Sequence, residues 1–295
     1  MRKDGVRLKK EDPMYTVAAH IMDKRYDAMN MVEVDIDAEA IQNYINKKRN
    51  QGVQISHMAV ILAAYVRMLG EFPEVNRFIV NKRLYARNEI AVGMVVLKSG
   101  ERNHGTMSKM YFDYENTVFD VNNIINDFVN ENRVNYADNG TEKMIRFLLG
   151  VPGLLTVGVK FFKFLDKHGL LPRSIIEASP FHNSLVISNL ASIRTNHIYH
   201  HIYEFGTSSV CITMGKTKEI PKVVDGEIVL KKYMPLGVVM DERICSGSYF
   251  AYAFRCMEKY LKDPRLLETP PENPIIETPQ VKHSKYYKNP TVSGK

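Results

Sequence analysis

Three histidines that lie close together in the sequence, His197, His200 and His201, are the first candidates for chemistry in this chain of 295 residues. An imidazole with a pKa near 6.5 exchanges protons at neutral pH, so these residues could serve as a general acid or base. His197 and His201 are four residues apart, a spacing that on a helix could also hold a metal ion. The glutamate–histidine pattern of a hydrolytic zinc site does not accompany them, and such clusters more often serve packing, so no metal site is expected.

A second candidate stretch runs from Asp241 to Gly247 and reads Asp-Glu-Arg-Ile-Cys-Ser-Gly. An exposed glutamate with a pKa of about 4.3 is a poor base for a thiol near 8.5, whereas burial could raise the pKa of Glu242 to about 6–7 and make it competent. Glu242 could instead be an ion-pair partner of Arg243 or of a neighbouring subunit. Cys245 has no visible activating partner and is predicted to be a small buried residue.

Regular elements on both sides must position this stretch. The apolar run at residues 234–240 precedes it, and an amphipathic helix that ends near residues 258–264 follows it. Residues 184–190 read as a strand followed by a loop, and residues 209–214 as another strand. Residues 224–229 are predicted to form a hairpin, because an Asp-Gly turn lies between β-branched residues.

These pieces, in this order, resemble the catalytic domain of the dihydrolipoyl acyltransferases of 2-oxoacid dehydrogenase complexes and the related chloramphenicol acetyltransferase. In that family the motif reads Asp-His-Arg-x-x-Asp-Gly or His-His-x-x-x-Asp-Gly. The strand at 184–190 matches the family's Phe-Thr-Ile-Ser-Asn-Leu-Gly, and Val-Asp-Ile-Asp at 34–37 and Pro-Glu-Val-Asn at 73–76 match two further family segments. The resemblance covers roughly residues 1–268 and implies an α+β, chloramphenicol acetyltransferase-like two-layer fold, with a mixed β-sheet and flanking helices.

The resemblance also implies roles for the motif residues. In the family, the motif histidine is the general base for a thiol or hydroxyl that attacks a thioester, and the terminal aspartate pairs with the motif arginine. Here Glu242 stands at the histidine position and Ser246 at the aspartate position, whereas Asp241, Arg243 and Gly247 are kept. A hydroxyl offers Arg243 one neutral acceptor where a carboxylate offers two charged ones, so that pair is predicted to be weaker.

The same resemblance places Ser188 at the oxyanion donor, with an ordinary strand-end serine as the alternative. The segment after it borders the family's active-site channel, so His197, His200 or His201 could replace the missing base. Two functions stay open. One is a CoA-thioester-dependent acyltransferase that uses Glu242 or one of these histidines, and the other is a catalytically inactive trimeric relative that binds acyl-CoA or acts as a scaffold.

The expected partners follow from the resemblance as well. It implies a homotrimer with each active site between two subunits, a coenzyme A thioester as substrate, and no covalently bound cofactor. Because it leaves no room for a carrier domain, the acyl donor or acceptor is expected to be free acyl-CoA or a carrier on another chain. We expect a single acyltransferase-like catalytic domain over residues 1–268, followed by a proline-rich flexible tail over residues 269–295.

Composition narrows the remaining classes. Hydrophobic residues make up 45% of the chain, enough for a sizeable core, and no apolar stretch reaches the roughly 18 residues of a membrane span. The formal net charge of +7 is concentrated at the two ends, and the chain has no tryptophan, so a nucleic-acid-binding module is not expected. Three cysteines at no metal-like spacing and no visible secretory signal predict a cytoplasmic location.

The segment 144–171 is unusually apolar for this family. We predict helices packed on the core, and the alternatives are a lipophilic acyl-chain pocket, a subunit contact or a helix lying in a membrane interface. Upstream, residues 14–37 are read as extended, with a strand at 31–37 and Asp37 as the cap of the next helix. Further elements are predicted as helices at 38–49, 56–69 and 115–132 and strands at 78–80, 84–86 and 90–97.

Overall fold

The computed structural model describes residues 2–97, 105–134, 150 and 153–281. Within them the chain forms ten strands and seven α-helices. In chain order these are β1 (Gly5–Arg7), α1 (Pro13–Ile21), β2 (Met29–Asp37), α2 (Ala38–Asn50), α3 (His57–Glu71), β3 (Arg77–Val80), β4 (Arg83–Arg87), β5 (Ile90–Leu97), β6 (Gly105–Phe112), α4 (Val118–Val134), α5 (Leu154–Lys167), α6 (Arg173–Ala178), β7 (Leu185–Asn189), β8 (Val210–Met214), β9 (Lys218–Val224), β10 (Glu227–Asp241) and α7 (Gly247–Lys262).

The main sheet has the strand order β2-β10-β8-β7-β5-β6, and β9 pairs only with β10. β7 is parallel to both β5 and β8, whereas the other neighbours are antiparallel, so the sheet is mixed. A smaller sheet has the order β1-β4-β3. The strand β10 is 15 residues long, because its first half pairs with β9 and its second half lies between β2 and β8 in the main sheet.

Helices cover one face of the main sheet and form the core with it. Thirteen of the fifteen residues of α3 are buried, which makes it the central helix of that layer. From the sheet, Ile187, Ile212 and Val238 point into this core. The opposite face carries a smaller apolar cluster, which includes Val186 and Ile202, beneath an irregular segment that follows β7. The predicted α+β two-layer fold is therefore confirmed.

Local signals in the sequence set several element boundaries as expected. The Asp37 carboxylate accepts hydrogen bonds from the backbone N–H groups of Glu39 and Ala40, the second and third residues of α2, at 2.9 and 3.0 Å. The Ser56 hydroxyl caps α3 by accepting a bond from the backbone N–H of Ala59, at 3.1 Å. Asp225 and Gly226, with φ of 53° and 85°, form the tight turn between β9 and β10.

The prediction of an extended segment from residue 14 is wrong, because α1 occupies residues 13–21. The Asp12 carboxylate accepts a hydrogen bond from the backbone N–H of Met14 at 2.9 Å, and Pro13 occupies the first turn. An aspartate cap followed by proline is a recognised start signal of a helix, and it was present in the sequence. The strand that follows begins at Met29 and otherwise agrees with the prediction.

The first part of the expected flexible tail packs against the body. Thr278 is buried, and its hydroxyl donates a hydrogen bond to the Arg87 carbonyl at 3.1 Å. The Glu277 carboxylate binds the guanidinium of Arg77 through both oxygens, with Nε at 3.1 Å from each. The flexible-tail prediction is therefore wrong for residues 269–281, because this segment finds charged and hydrogen-bonding partners on the body.

The apolar segment also differs from the prediction of core packing. Residues 144–149 and 151–152 lie outside the part of the chain that the structure describes, as do residues 282–295 of the tail. In α5, the only buried residue among those described is the acidic Asp166, and several large apolar side chains are exposed. Among the described residues, no helix has both the length and the apolar character to cross a bilayer.

Candidate functional site

The motif that follows β10 rests on a buried ion cluster. Asp241 has no solvent exposure and binds Arg243 through two parallel bonds, Nε to Oδ1 at 2.8 Å and Nη2 to Oδ2 at 2.7 Å. The guanidinium Nε of Arg25 lies 3.7 Å from the same carboxylate. Burial would lower the pKa of Arg243, but the hydrogen bonds and charge of Asp241 hold that pKa above its usual value.

Arg243 is therefore anchored without Ser246. Within the described residues Arg243 makes no hydrogen bond to Ser246, in line with the predicted weakening of that pair, and Asp241 supplies a bidentate partner from two residues upstream. A further bond from Arg243 Nη1 to the Met22 carbonyl, at 2.9 Å, ties the motif to the segment after α1. These bonds fix the backbone on both sides of Glu242, the residue that lies between Asp241 and Arg243.

That residue, Glu242, is half-buried and does not pair with Arg243. Its Oε2 accepts a hydrogen bond from the amide of Asn30 at 2.7 Å, and its backbone N–H donates to the Ala28 carbonyl at 2.9 Å. Its Oε1 makes no hydrogen bond to a residue within the described ranges. The carboxylate is thus fixed on one side and able to accept a proton on the other.

The last two motif residues begin a helix. Ser246 caps α7 by accepting a hydrogen bond from the backbone N–H of Tyr249 at 3.2 Å, and it shares a second bond with the hydroxyl of Ser248 at 2.9 Å. Gly247 is the first residue of α7. Cys245 is buried, and this burial raises the pKa of its thiol, in agreement with the prediction that it is an inert packing residue.

Ser188 belongs to a straight row of residues across the sheet. It pairs with Thr213 of β8, which pairs with Gly237 of β10, which in turn pairs with Glu33 of β2. Paired residues in neighbouring strands point to the same face, so all four face the layer opposite the helices. The Ser188 side chain is partly exposed and makes no hydrogen bond within the described part of the chain.

The histidine segment lies on this face, in irregular backbone. His197 Nε2 is 2.9 Å from a carboxylate oxygen of Glu33, and its ring lies over Gly237. A Cβ at Gly237 would come within 2.9 Å of that ring, so a glycine is required there. The Nδ1 atom of His197 is buried and has no hydrogen-bond partner among the described residues. His197 is therefore a packed residue that a substrate could reach only if the segment moved.

His200 and His201 form an aromatic cluster instead. Their rings stack with centroids 4.7 Å apart, and both contact Tyr203. His200 Nδ1 lies 2.8 Å from the His201 carbonyl oxygen. The segment is not helical, so the four-residue spacing of His197 and His201 does not give the helical geometry of a metal site. In the described ranges, no group of three side chains is arranged to hold a metal ion.

Within one chain, Glu242 and Ser188 do not meet. Asn30, the partner of Glu242, lies three residues before Glu33 on β2 and so faces the helix-covered side, opposite to Ser188. Glu242 is also five residues beyond Gly237 along the chain. At about 4.8 Å per strand and 3.3 Å per residue, the two Cα atoms are roughly 19 Å apart. The relative placement of Glu242 and Ser188 depends on strand register and is not visible in the sequence.

Comparison with known proteins agrees with the resemblance drawn from the motifs. Residues 181–269 match the family model of the 2-oxoacid dehydrogenases acyltransferase (catalytic domain). Among curated protein sequences, none matches the chain significantly. The similar solved structures share its fold at low sequence identity.

Three of these structures cover most of the chain. A probable dihydrolipoamide acetyltransferase from Listeria monocytogenes 4b F2365 has a TM-score of 0.55 at 13% identity, and the match covers 86% of this chain and 94% of that one. The cubic core of the pyruvate dehydrogenase multienzyme complex has a TM-score of 0.55 at 12% identity, with coverage of 89% and 93%. Chloramphenicol acetyltransferase has a TM-score of 0.52 at 11% identity, with coverage of 87% and 99%. The resemblance to this family of acyltransferase cores is thus confirmed.

Proposed function

We propose that the chain is a CoA-thioester-dependent acyltransferase whose active site forms between two copies, with Glu242 of one copy as the base and Ser188 of the other as the oxyanion donor. One observation carries the proposal. The Glu242 carboxylate stands at the family's histidine position on the buried Asp241–Arg243 pair, and only one of its oxygens is occupied by Asn30. A non-catalytic surface glutamate would not need such a support.

The chemistry follows from these two groups. The carboxylate takes the proton of a thiol or hydroxyl acceptor, whose sulfur or oxygen attacks the thioester carbonyl. The negative oxygen of the tetrahedral intermediate accepts a hydrogen bond from the Ser188 hydroxyl. Collapse of the intermediate breaks the carbon–sulfur bond, and the protonated Glu242 returns its proton to the departing CoA thiolate.

Relatives support these positions. A serine, a histidine and an asparagine have been investigated for their role in the catalytic mechanism of the dihydrolipoamide acetyltransferase of Azotobacter vinelandii, which shares the fold at a TM-score of 0.50. By the motifs, Ser188 stands at the family's serine position and Glu242 at the family's histidine position. The base differs, so the acceptor and the pH range of the reaction are expected to differ as well.

A site between two copies fits the separation of Glu242 and Ser188 within one chain. Residues roughly 19 Å apart on opposite faces of a sheet can act on one substrate only if a second copy supplies one of them. We therefore propose a homotrimer that takes acyl-CoA as its small-molecule substrate. Similar cores assemble into larger particles, such as the cubic core of the pyruvate dehydrogenase complex.

Glu242 is preferred to the histidines as the base because of exposure and contacts. The nitrogen Nδ1 of His197 is buried, and its other nitrogen is held by Glu33. The rings of His200 and His201 stack on each other, and both contact Tyr203. Glu242 is preferred because it stands at the family's base position, where Asn30 holds one of its carboxylate oxygens and the other makes no hydrogen bond to the described residues.

The second candidate function is a catalytically inactive trimer that binds acyl-CoA or serves as a scaffold. One observation favours it. Ser246, at the position of the family's aspartate, is used as a helix cap and gives no support to the catalytic position. Binding without turnover is the result that would distinguish it from the enzyme.

The test follows, by chromatography, the conversion of acetyl-CoA and a dithiol acceptor into CoA and the acetylated dithiol, because transfer between thiols leaves the total amount of free thiol unchanged. Glu242→Gln keeps the shape but removes the proton acceptor, and is expected to lower kcat by about 10²–10⁴-fold. Ser188→Ala is expected to lower it by about 10²–10³-fold. The matched control is Glu33→Gln, which alters a carboxylate on the same sheet that holds only His197, and it should change kcat little.

Mixing the two inactive variants tests the placement between copies. If Glu242 and Ser188 act from different copies, unfolding and co-refolding equal amounts of the two variants should restore about a quarter of the parent activity, because that share of contacts pairs two intact residues. A parent whose turnover survives Glu242→Gln refutes the assignment of the base. A parent that binds acetyl-CoA in calorimetry at low salt but shows no turnover supports the inactive trimer instead.

A further inference from the structure

The helix α5 carries an apolar stripe that faces solvent. Val157, Phe161 and Phe164 follow one another at helical spacing and are 63%, 56% and 56% exposed, and Leu170, just beyond the helix, is 61% exposed. Leaving two phenylalanines of one helix in water is unfavourable, since burying such a side chain is worth about 1.5–3 kcal/mol. A solvent-facing stripe of this kind indicates a binding surface.

The anchor of α5 fixes the direction of the stripe. Asp166 is buried and accepts a hydrogen bond from Arg2 at 2.8 Å, and it lies 3.3 Å from the ring nitrogen of His182. At about 100° per residue, Val157, Phe161 and Phe164 lie about 140–180° around the helix from Asp166. The stripe therefore points away from the body of the protein, on the side opposite to its attachment.

Lysines border the stripe. Lys160 lies about 40° around the helix from Phe164, and Lys163 and Lys167 continue along the same flank. Among the described residues, none of these three forms a salt bridge. A helix with aromatic residues on one side and lysines beside them is the arrangement that lies flat in the interface of an anionic membrane.

A cationic cavity adjoins the same flank. Its volume is about 320 Å³, and its lining includes Lys163 and Lys167 of α5 together with Lys24, Lys82 and the buried Arg25. Arg25 itself is held by the protein, because its Nε lies 3.7 Å from the Asp241 carboxylate and its other guanidinium nitrogens donate to backbone carbonyls, so the lysines carry the available charge. A cavity of this size and charge suits a phosphate group.

The acidic residues of the cavity are already engaged. Asp23 pairs with Lys82 at 2.8 Å, and Asp166 pairs with Arg2. The Glu204 carboxylate accepts a hydrogen bond from the backbone N–H of Arg25 at 2.9 Å. The positive charge of Lys24, Lys163 and Lys167 is thus left for a ligand from outside.

We propose that α5 docks this protein on an anionic phospholipid surface, with the apolar stripe entering the boundary of the acyl chains and the adjoining cavity receiving a headgroup phosphate. Charge complementarity favours this occupant. An antiparallel two-fold contact of α5 with a second copy would bring the two lysine flanks to the same side, and a purely acidic partner surface would leave Phe161 and Phe164 exposed. The proposal does not depend on acyl transfer.

The experiment is co-sedimentation of the full chain with vesicles of phosphatidylcholine alone and with vesicles of equal parts phosphatidylcholine and phosphatidylglycerol. Binding is expected only to the anionic vesicles, and it should weaken as salt is added. Replacing Lys160, Lys163 and Lys167 by glutamine should weaken binding by about 100-fold, at about 1 kcal/mol for each lysine near the surface. Phe161→Ser combined with Phe164→Ser should weaken it by at least about tenfold.

A matched control carries the same change elsewhere. Val223→Ser combined with Ile228→Ser alters two apolar residues that are 72% and 77% exposed on the β9–β10 hairpin, and it should leave vesicle binding unchanged. Circular dichroism verifies that each variant is folded. Failure to bind anionic vesicles, or binding that survives the Phe161 and Phe164 changes, overturns the proposal. Binding of inorganic pyrophosphate without vesicle binding would indicate a soluble anion as the ligand and would also overturn the proposal. A change of the sedimentation coefficient in the phenylalanine variant would indicate a contact between copies and would overturn it too.

Discussion

Replacing Asp241 by asparagine tests whether burial gives the motif its rigidity. Asparagine keeps the volume but removes the charge, and its amide would place a donor 2.7 Å from the Arg243 Nη2, which is also a donor. Two buried guanidiniums, those of Arg243 and Arg25, would lose the carboxylate that compensates them. Breaking a buried pair in this way costs about 3–5 kcal/mol. At about 2–4 °C for each kcal/mol, Tm should fall by about 6–20 °C.

The chain contains a matched control for this change. Asp263 and Arg265 repeat the same spacing and geometry, with Nε to Oδ1 at 2.7 Å, Nη2 to Oδ2 at 2.8 Å, and a backbone bond at 3.2 Å. The difference is exposure, because these side chains are 35% and 70% exposed, whereas those of Asp241 and Arg243 are 0% and 4% exposed. Asp263→Asn should therefore cost no more than about 1 kcal/mol.

The assay is urea unfolding followed by circular dichroism, at one fixed protein concentration because assembly shifts apparent stability. The free energies of unfolding of the two variants and of the parent are compared under identical conditions. Equal losses in Asp241→Asn and Asp263→Asn would refute the reasoning, since geometry alone would then set the strength of the pair. A selective loss in Asp241→Asn would also be expected to abolish any activity that depends on Glu242.

Three further outcomes are expected. Gly237→Ala should lower the free energy of unfolding, measured by thermal denaturation, by about 1–3 kcal/mol, because the new Cβ would meet the side chains of Thr213 and His197 at 2.8 and 2.9 Å. The control Gly247→Ala should leave the free energy of unfolding unchanged, because no atom lies within 4 Å of its Cβ. Burial lowers the pKa of Lys109 from 10.5 to about 8, so between these pH values the unfolded chain binds more protons than the folded one. The free energy of unfolding should accordingly rise through that window by up to about 1.4 kcal/mol per pH unit, and this rise should be absent in Lys109→Met. A chain ending after Val281 should melt at the same temperature as the parent. A chain ending after Glu268 should lose about 2–4 kcal/mol of the free energy of unfolding, the contribution of the ion pair and hydrogen bonds of residues 269–281. Equal melting of the two chains would show that residues 269–281 contribute nothing to stability.

Features set by neighbouring residues could be predicted from the sequence. The Asp37 and Ser56 caps, the Asp225–Gly226 turn and the helical periodicity of α3 depend on residues a few positions apart. The start of α1 belongs to the same class, because the Asp12 cap and Pro13 are adjacent in the sequence and form a local start signal of a helix. The motif order then identified the fold as a whole.

Features set by residues far apart in the chain could not be predicted. Nothing local indicates that Arg25 would lie beside Asp241, or that Glu277 would bind Arg77 from 200 positions away. The direction of the α5 stripe depends on the anchoring of Asp166 by the second residue of the chain. The placement of Glu242 and Ser188 on opposite faces of one sheet depends on the strand register, which the sequence does not reveal.

The pairing of β2 with β10 has a consequence for synthesis of the chain. Residues 29–37 bind residues 233–241, about 200 positions later, and β2 has no other strand neighbour in the described part of the main sheet. At about 5–20 residues per second, the ribosome needs roughly 10–40 s to deliver that partner. During this interval β2 has an unpaired edge and an apolar face that nothing yet covers. Nascent chains stalled before residue 233 should therefore bind chaperones or aggregate, and this vulnerability should end once β10 has left the exit tunnel.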